Sequence, residues 1–217
     1  LCRPGAPVVF GTFAASMSMQ SGAPTFGSPE PAMVTFGAAQ LARRMGVPFR
    51  SGGSLCGSKL PDAQAAYESA NTMWSTLLSG VNFCLHAAGW LEGGLSMGYE
   101  KFIMDVEILQ MMQAEFTPIE IDEASLAFGS HEEAGHGGHF LGTQHTMERF
   151  RDCFYRPFLS SADNFDRWSR NGSKTTDLRA NEIAHKMLDE YEAPAMDAAI
   201  KEELDEWVAK RKKELMA

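Results

Sequence analysis

The sequence predicts an α/β fold of about four βα units plus C-terminal helices, and two observations carry that prediction. Short apolar runs recur at residues 8–10, 47–50 and 81–87, and each is followed by a glycine- and serine-rich loop and then by a segment of helical periodicity. The third run, VNFCLHA, is continuously apolar rather than alternating, as suits a strand buried on both faces of a parallel sheet. A closed parallel barrel needs eight such units and typically about 250 residues. Four units in 217 residues therefore amount to half of one. Such a half leaves open strand edges, and self-association into a homo-oligomer is the expected remedy.

The elements follow in order. The strand at 8–10 leads into a small, polar loop at 12–28. Residues 29–45 place Met33, Phe36, Leu41 and Met45 at helical spacing, with Ser28 in the N-cap position, Pro29 in the first turn and Glu30 beside the positive helix end. Gly46 ends that helix. After the strand at 47–50 and the loop SGGSLCGSKLP, Asp62 caps a second helix that runs through Leu78 and stops at Gly80. The third strand is followed by the loop GWLEGGLSMG and a helix over about 99–116. Residues 118–121 form a weaker fourth extended segment, Asp122 opens a short helix, and a Gly/His-rich stretch follows. Residues 145–155 and 180–191 read as helices. The first 193 residues group as one partial barrel domain. Residues 194–217 read as a charged amphipathic helix with Ile200, Leu204, Trp207 and Val208 on one side.

Composition excludes several functions. The net charge is -9 and no basic patch stands out, which argues against nucleic acid as a partner. No run of about 18 apolar residues marks a membrane span, and no signal peptide opens the sequence. The first residue is Leu1, so the chain reads as one that starts partway through something. Cys2, Cys56, Cys84 and Cys153 form no CxxC, so they read as the reduced thiols of a cytoplasmic protein rather than as a metal finger or redox pair. The thirteen methionines read as core filler. Gly52-Gly53 alone is a weak phosphate signal, and a plain turn explains it.

Five stretches taken together resemble one family. They are FGSPEPAM at 26–33, QLARRMGVPFRSGG at 40–53, SKLPDAQAAYESA at 58–70, GWLEGGLSMGYEKFIMDVEI at 89–108 and GHFLGTQHTMERFR at 138–151. In this order and spacing, from about residue 8 to 187, the chain resembles the trimethylamine methyltransferase (MttB-like) family. The resemblance implies a (β/α)8 TIM barrel much longer than this chain, which looks like its C-terminal half. It also implies transfer of a methyl group from a methylated amine to the Co(I) of a separate corrinoid protein, the cognate partner. The corrinoid (cobalamin) would be carried by that partner, with no tightly bound cofactor in this chain. Some members carry pyrrolysine in the region matching residues 53–61. This chain has only standard amino acids there, like the glycine betaine methyltransferases, so a betaine-type substrate is the better fit.

The chemistry sets what the site must contain. A quaternary ammonium has no lone pair and needs no protonation to leave. The protein must desolvate it, orient one methyl and hold the other end. Orientation is worth up to roughly 7–11 kcal/mol in favourable cases, and each aromatic face about 0.5–2 kcal/mol. A carboxylate needs His, Arg or backbone N–H donors.

His86, at the end of the best strand, is the leading candidate to grip the carboxylate, against a core histidine bonded to a neighbour. Trp90 is the expected wall of a cation pocket and Glu92 its charge balance, against loop packing and a surface charge. Phe10, Phe13 and Tyr99 are further cage candidates, although aromatics near strand ends are more often core. Ser51, Ser54 and Lys59 line the second loop, where substrate or corrinoid-partner contact competes with a plain solvated loop. Ser16 and Gln20 stand similarly in the first. His131, Glu132, Glu133, His136, His139 and His145 supply enough ligands for zinc, but their spacing misses H-E-x-x-H and the glycines between them fit a lid or partner-contact loop. Cys56 and Cys84 as nucleophiles are disfavoured, because the family's transfer goes directly to cobalt. Two other readings compete: a non-catalytic half-barrel kept as an interaction module or split-gene fragment, and a metal-binding protein using the histidine tract.

Overall fold

A computed structural model describes residues 3–216, so Leu1 and Cys2 lie outside the described residues. It divides into two compact units, residues 1–184 and 185–217.

The first unit opens with strand β1 (Phe10–Gly11), then a small hairpin of β2 (Ser16–Met17) and β3 (Pro24–Thr25), and helix α1 (Pro29–Met45). Strand β4 (Phe49–Gly52), helix α2 (Ala63–Leu78) and strand β5 (Phe83–Leu85) follow. A second hairpin pairs β6 (Trp90–Leu91) with β7 (Ser96–Met97) and leads into α3 (Tyr99–Glu115). Beyond it lie the short helices α4 (Glu123–Leu126), α5 (Phe128–Ala134), α6 (Gln144–Arg149) and α7 (Phe165–Arg170), then α8 (Thr176–Asp189), which crosses into the second unit, and α9 (Ala198–Met216).

The main sheet is parallel, in the order β1-β4-β5, with Phe10 opposite Phe49, Arg50 opposite Phe83 and Ser51 opposite Cys84. Neighbours in space are neighbours in the chain, and each is reached through one crossover helix. Helices α1 and α2 pack on each other and both touch β4. Elements on opposite faces of a sheet cannot touch, so the two helices share one face. The loops after β1, β4 and β5 therefore emerge together at the strands' C-terminal ends, where α/β sites lie.

Local signals place the elements as expected. Gly46 adopts the left-handed conformation (φ 66°) that closes α1, and the Asp62 carboxylate accepts from Ala65 N–H at 2.9 Å to cap α2. These hydrogen bonds, with one from Ser58, hold the Asp62 carboxyl below its ordinary range.

Four expectations are corrected. Among the described residues none pairs with 118–121: Ile119 is 89% exposed, and Pro118 lacks the N–H a ladder needs. The parallel sheet thus has three strands among the described residues. In α1 the apolar stripe is not the buried one. Met33, Leu41 and Met45 are exposed, while Pro31, Ala32, Thr35, Ala39 and Ala42 face inward, because small residues let the helix lie close on β4 and α2. Nor are the methionines mainly filler: Met73, Met104 and Met112 are buried, but Met19, Met33 and Met97 are largely exposed. The helix expected over 145–155 stops at Arg149 and gives way to turns before Pro157. Helix α7, capped by Asn164 accepting from Arg167 N–H at 2.9 Å, was not anticipated.

Phe49 anchors the sheet against α1, packed with Ala39, Ala42 and Phe10. Phe49→Ala is expected to cost about 3–5 kcal/mol, read from urea denaturation. Because the Asp62 carboxyl titrates lower in the folded chain than in the unfolded one, its contribution is present above the unfolded value and lost as pH falls through the folded one. Asp62→Asn should therefore flatten the acid limb of a stability-against-pH profile.

Candidate active site

Four rings from two strand-to-helix connections meet above the strand ends. Phe13 follows β1, Phe26 follows β3, His86 follows β5 and Trp90 lies in β6. Ring centroids are 4.7 Å apart for His86–Trp90, 5.0 Å for Phe13–Phe26, 5.5 Å for Phe13–His86, 5.6 Å for Phe26–Trp90 and 5.8 Å for Phe13–Trp90. Both phenyl rings meet the indole edge-on, as their quadrupoles prefer. Phe26 is buried, whereas Phe13 and His86 are exposed, so the wall opens to solvent on one side. His86 (φ 57°) and Glu92 (φ 48°) both occupy the left-handed region, which costs non-glycine residues energy and clusters at functional sites.

Arg50 stands beside this wall and was missed at the level of sequence. Its Cζ lies 5.7 Å from the Phe13 ring centre, and one guanidinium nitrogen reaches the Thr12 carbonyl at 3.4 Å. It is half-buried, yet no carboxylate among the described residues pairs with it. An arginine in a strand reads as a surface charge, and only the register, which sets it opposite Gly11 and Phe83, reveals its place. Burial and the Arg50 charge hold the His86 imidazole below its ordinary value of 6.5, so it is neutral at pH 7.

A buried network fixes the loop that carries His86 and Trp90. Lys101 and Asp105, one turn apart on α3, form an ion pair at 2.5 Å with both side chains fully buried. Lys101 also donates to Ser69 Oγ on α2 at 2.8 Å, and Asp105 accepts from Gly89 N–H at 2.9 Å. Burial pushes the Asp105 carboxyl up, and the Lys101 charge with these hydrogen bonds opposes it. Cys56 donates to the Trp90 carbonyl at 3.0 Å, joining the loop after β4 to β6. Two glycines are required by close approach. A Cβ on Gly53 would lie 2.9 Å from the Ala87 backbone, and one on Gly94 2.6 Å from the Trp90 ring.

The other sequence candidates lie as follows. Phe10 packs 6.0 Å from Phe49 in the core on the helix face. Ser51 lies 3.4 Å from Thr35 Oγ1 and lines a cavity of about 20 Å³ with Thr12, Thr72 and Thr76, room for one water. Ser54 is fully buried and its hydroxyl has no partner in the structure. Lys59 and Glu92, both exposed, border one groove of about 590 Å³ with Ser28 and Glu68. Ser16 bonds Thr25 and Ser28 inside the first hairpin, and Gln20 is exposed at its tip. Tyr99 is exposed at the start of α3. Thus Phe13, His86 and Trp90 come together, joined by the unforeseen Phe26 and Arg50. In the histidine tract the His131 ring meets Phe140 and His145 Nε2 meets the Ala124 carbonyl. Among the described residues no three His, Cys, Asp or Glu side chains are placed to hold a metal ion.

Residues 1–216 match the family model described as trimethylamine methyltransferase (MTTB). The chain belongs to this family. It is similar to a glycine betaine methyltransferase of Desulfitobacterium hafniense, with 43% identity over 98% of this chain and 44% of the relative. It is also similar to the trimethylamine methyltransferase MttB2 of Methanosarcina mazei, at 30% identity over 97% of this chain and 42% of that one. A trimethylamine methyltransferase MttB of Desulfitobacterium hafniense is 31% identical over 88% of this chain and 38% of its own length. The chain thus spans less than half the length of these family members.

Two outcomes test the site's framework. Asp105→Ala, which strands the Lys101 charge, is expected to cost about 3–5 kcal/mol, while the paired replacement Lys101→Met with Asp105→Leu costs far less; a double-mutant cycle in urea measures both. Burial pushes the Cys56 thiol up to about 11, so iodoacetamide at pH 8 should label exposed Cys153 first and Cys56 only on unfolding, as read by peptide mapping.

Proposed function

We propose that this chain forms part of a methyltransferase that takes a methyl group from a quaternary amine bearing a carboxylate, of the glycine betaine type, and passes it to Co(I) of a separate corrinoid protein. The observation that carries the reading is the aromatic wall beside an arginine that no carboxylate among the described residues pairs with. A betaine presents a diffuse cation and an anion a few bonds apart, and the wall and Arg50 offer a matching surface for each. The glycine betaine and trimethylamine methyltransferases to which the chain is similar support the same class.

In the reaction the C–N bond breaks with its electron pair going to nitrogen, and the metal supplies the pair of the new bond to the methyl carbon. The amine leaves neutral, so no general acid is called for. A neutral His86 and thiols held protonated fit that requirement. Phe13, Phe26 and Trp90 exclude water from the ammonium. Arg50 holds the carboxylate, His86 adds a hydrogen-bond donor, and Glu92 balances charge at the rim. Tyr99, Lys59, Gln20 and Ser16 stand as the secondary substrate and corrinoid-protein contacts, whereas Ser51 and Ser54 are buried behind them and shape the loop after β4. The same reading takes the three parallel strands as a run of a larger (β/α)8 barrel in a cytoplasmic enzyme. Its support is the sequential strand order and the sharing of one sheet face by α1 and α2.

Calorimetric titration tests the site directly. Arg50→Ala should weaken glycine betaine by at least about tenfold, the scale of a hydrogen bond to a charged group, and leave tetramethylammonium, which lacks the carboxylate, nearly unchanged. Trp90→Ala should weaken both. Because burial and the Arg50 charge lower the His86 imidazole from its ordinary value, tetramethylammonium affinity should hold steady at neutral pH and fall as acidification protonates the ring. Failure of every quaternary amine to bind, or to yield a methyl group to Co(I) with a corrinoid protein present, would sink the reading.

A further inference from the structure

Helix α9 runs 19 residues without one buried side chain. Ile200, Leu204, Trp207 and Val208 fall on one face, 42–63% exposed, and Leu215 continues the stripe. Nothing else in residues 185–216 covers that face, although packing of an amphipathic face is what supplies most of a helix's stability in a protein.

The charges on α9 indicate what covers it. Glu202, Glu203, Asp205 and Glu206 dominate the first half against Lys201 alone, and Lys210, Arg211, Lys212 and Lys213 the second against Glu214 alone. A parallel copy would set acid on acid and base on base. An antiparallel copy sets each half on its opposite and opposes the two helix dipoles favourably. With a two-fold axis between Trp207 and Val208, Ile200 comes opposite Leu215, Leu204 opposite the Arg211 stem, and Trp207 opposite Val208. One flank then brings Glu203 within about 3 Å along the axis of the second copy's Lys210, and the other brings Asp205 equally near its Lys212. Within the described residues Asp205 is held by Lys201 and Arg211 by Glu214, while Glu203, Lys210 and Lys212 have no ion-pair partner.

We propose that α9 is a self-recognition helix that pairs antiparallel with α9 of a second copy of this chain. The interface is isologous, so one surface serves both copies and the assembly closes as a dimer.

Sedimentation velocity on the full chain, over micromolar to submillimolar concentrations at low salt, tests this with three proteins. Wild type is expected to dimerise. The double variant Glu203→Lys, Asp205→Lys should weaken association by at least about tenfold through like-charge opposition. Adding Lys210→Glu and Lys212→Glu restores complementarity and should recover the dimer, with circular dichroism confirming helix content in all three. A wild-type monomer throughout would overturn the proposal. So would a double variant that associates as well as wild type, which would put the contact on another surface, or a fourfold variant that stays monomeric.

Discussion

The arrangement of the site depends on one ion pair buried between two helices. Lys101 and Asp105 are both removed from water, and neither charge is tolerable there alone. Together they tie α3 to α2 through Ser69 and to the loop after β5 through Gly89. That loop would otherwise be glycine-punctuated chain with little to hold it. Held at Gly89, it can carry His86 in a left-handed conformation and present Trp90 to two phenyl rings from elsewhere in the chain. The cost of burying two charges is offset by a fixed loop, which is what a ligand-gripping surface requires.

Part of the site was legible in the sequence, for a physical reason. Loops at the C-terminal ends of parallel strands are brought together by the sheet whatever their composition, so naming His86, Trp90 and Phe13 needed only the approximate strand ends. Arg50 was illegible because its meaning lies in register. One residue of slip would turn it to the helix face. Phe26 was hidden in a long polar loop whose hairpin no local signal announced. Lys101 and Asp105 look, in sequence, like an ordinary i,i+4 surface pair, and only burial makes them structural.

The fold shows the same division. Capping and turn residues placed α1 and α2 to within a residue, since Asp62 and Gly46 act through their own neighbours. Hydropathy misassigned the faces of α1, because close packing against β4 and α2 selects small side chains over apolar ones. Residues 118–121 looked extended from composition alone. A strand exists only through a partner, and none adjoins this segment.

The rings of the wall come from loops far apart in the chain: Phe13 lies ahead of α1 and His86 behind α2. No single βα unit contains the whole site. The wall is therefore complete only when both crossovers are in place and β5 lies on β4, so its contacts are among those of long sequence separation. Trp90 sits at its centre, so in a chain whose other three tryptophans are replaced the emission of that indole reports whether the two connections have come together.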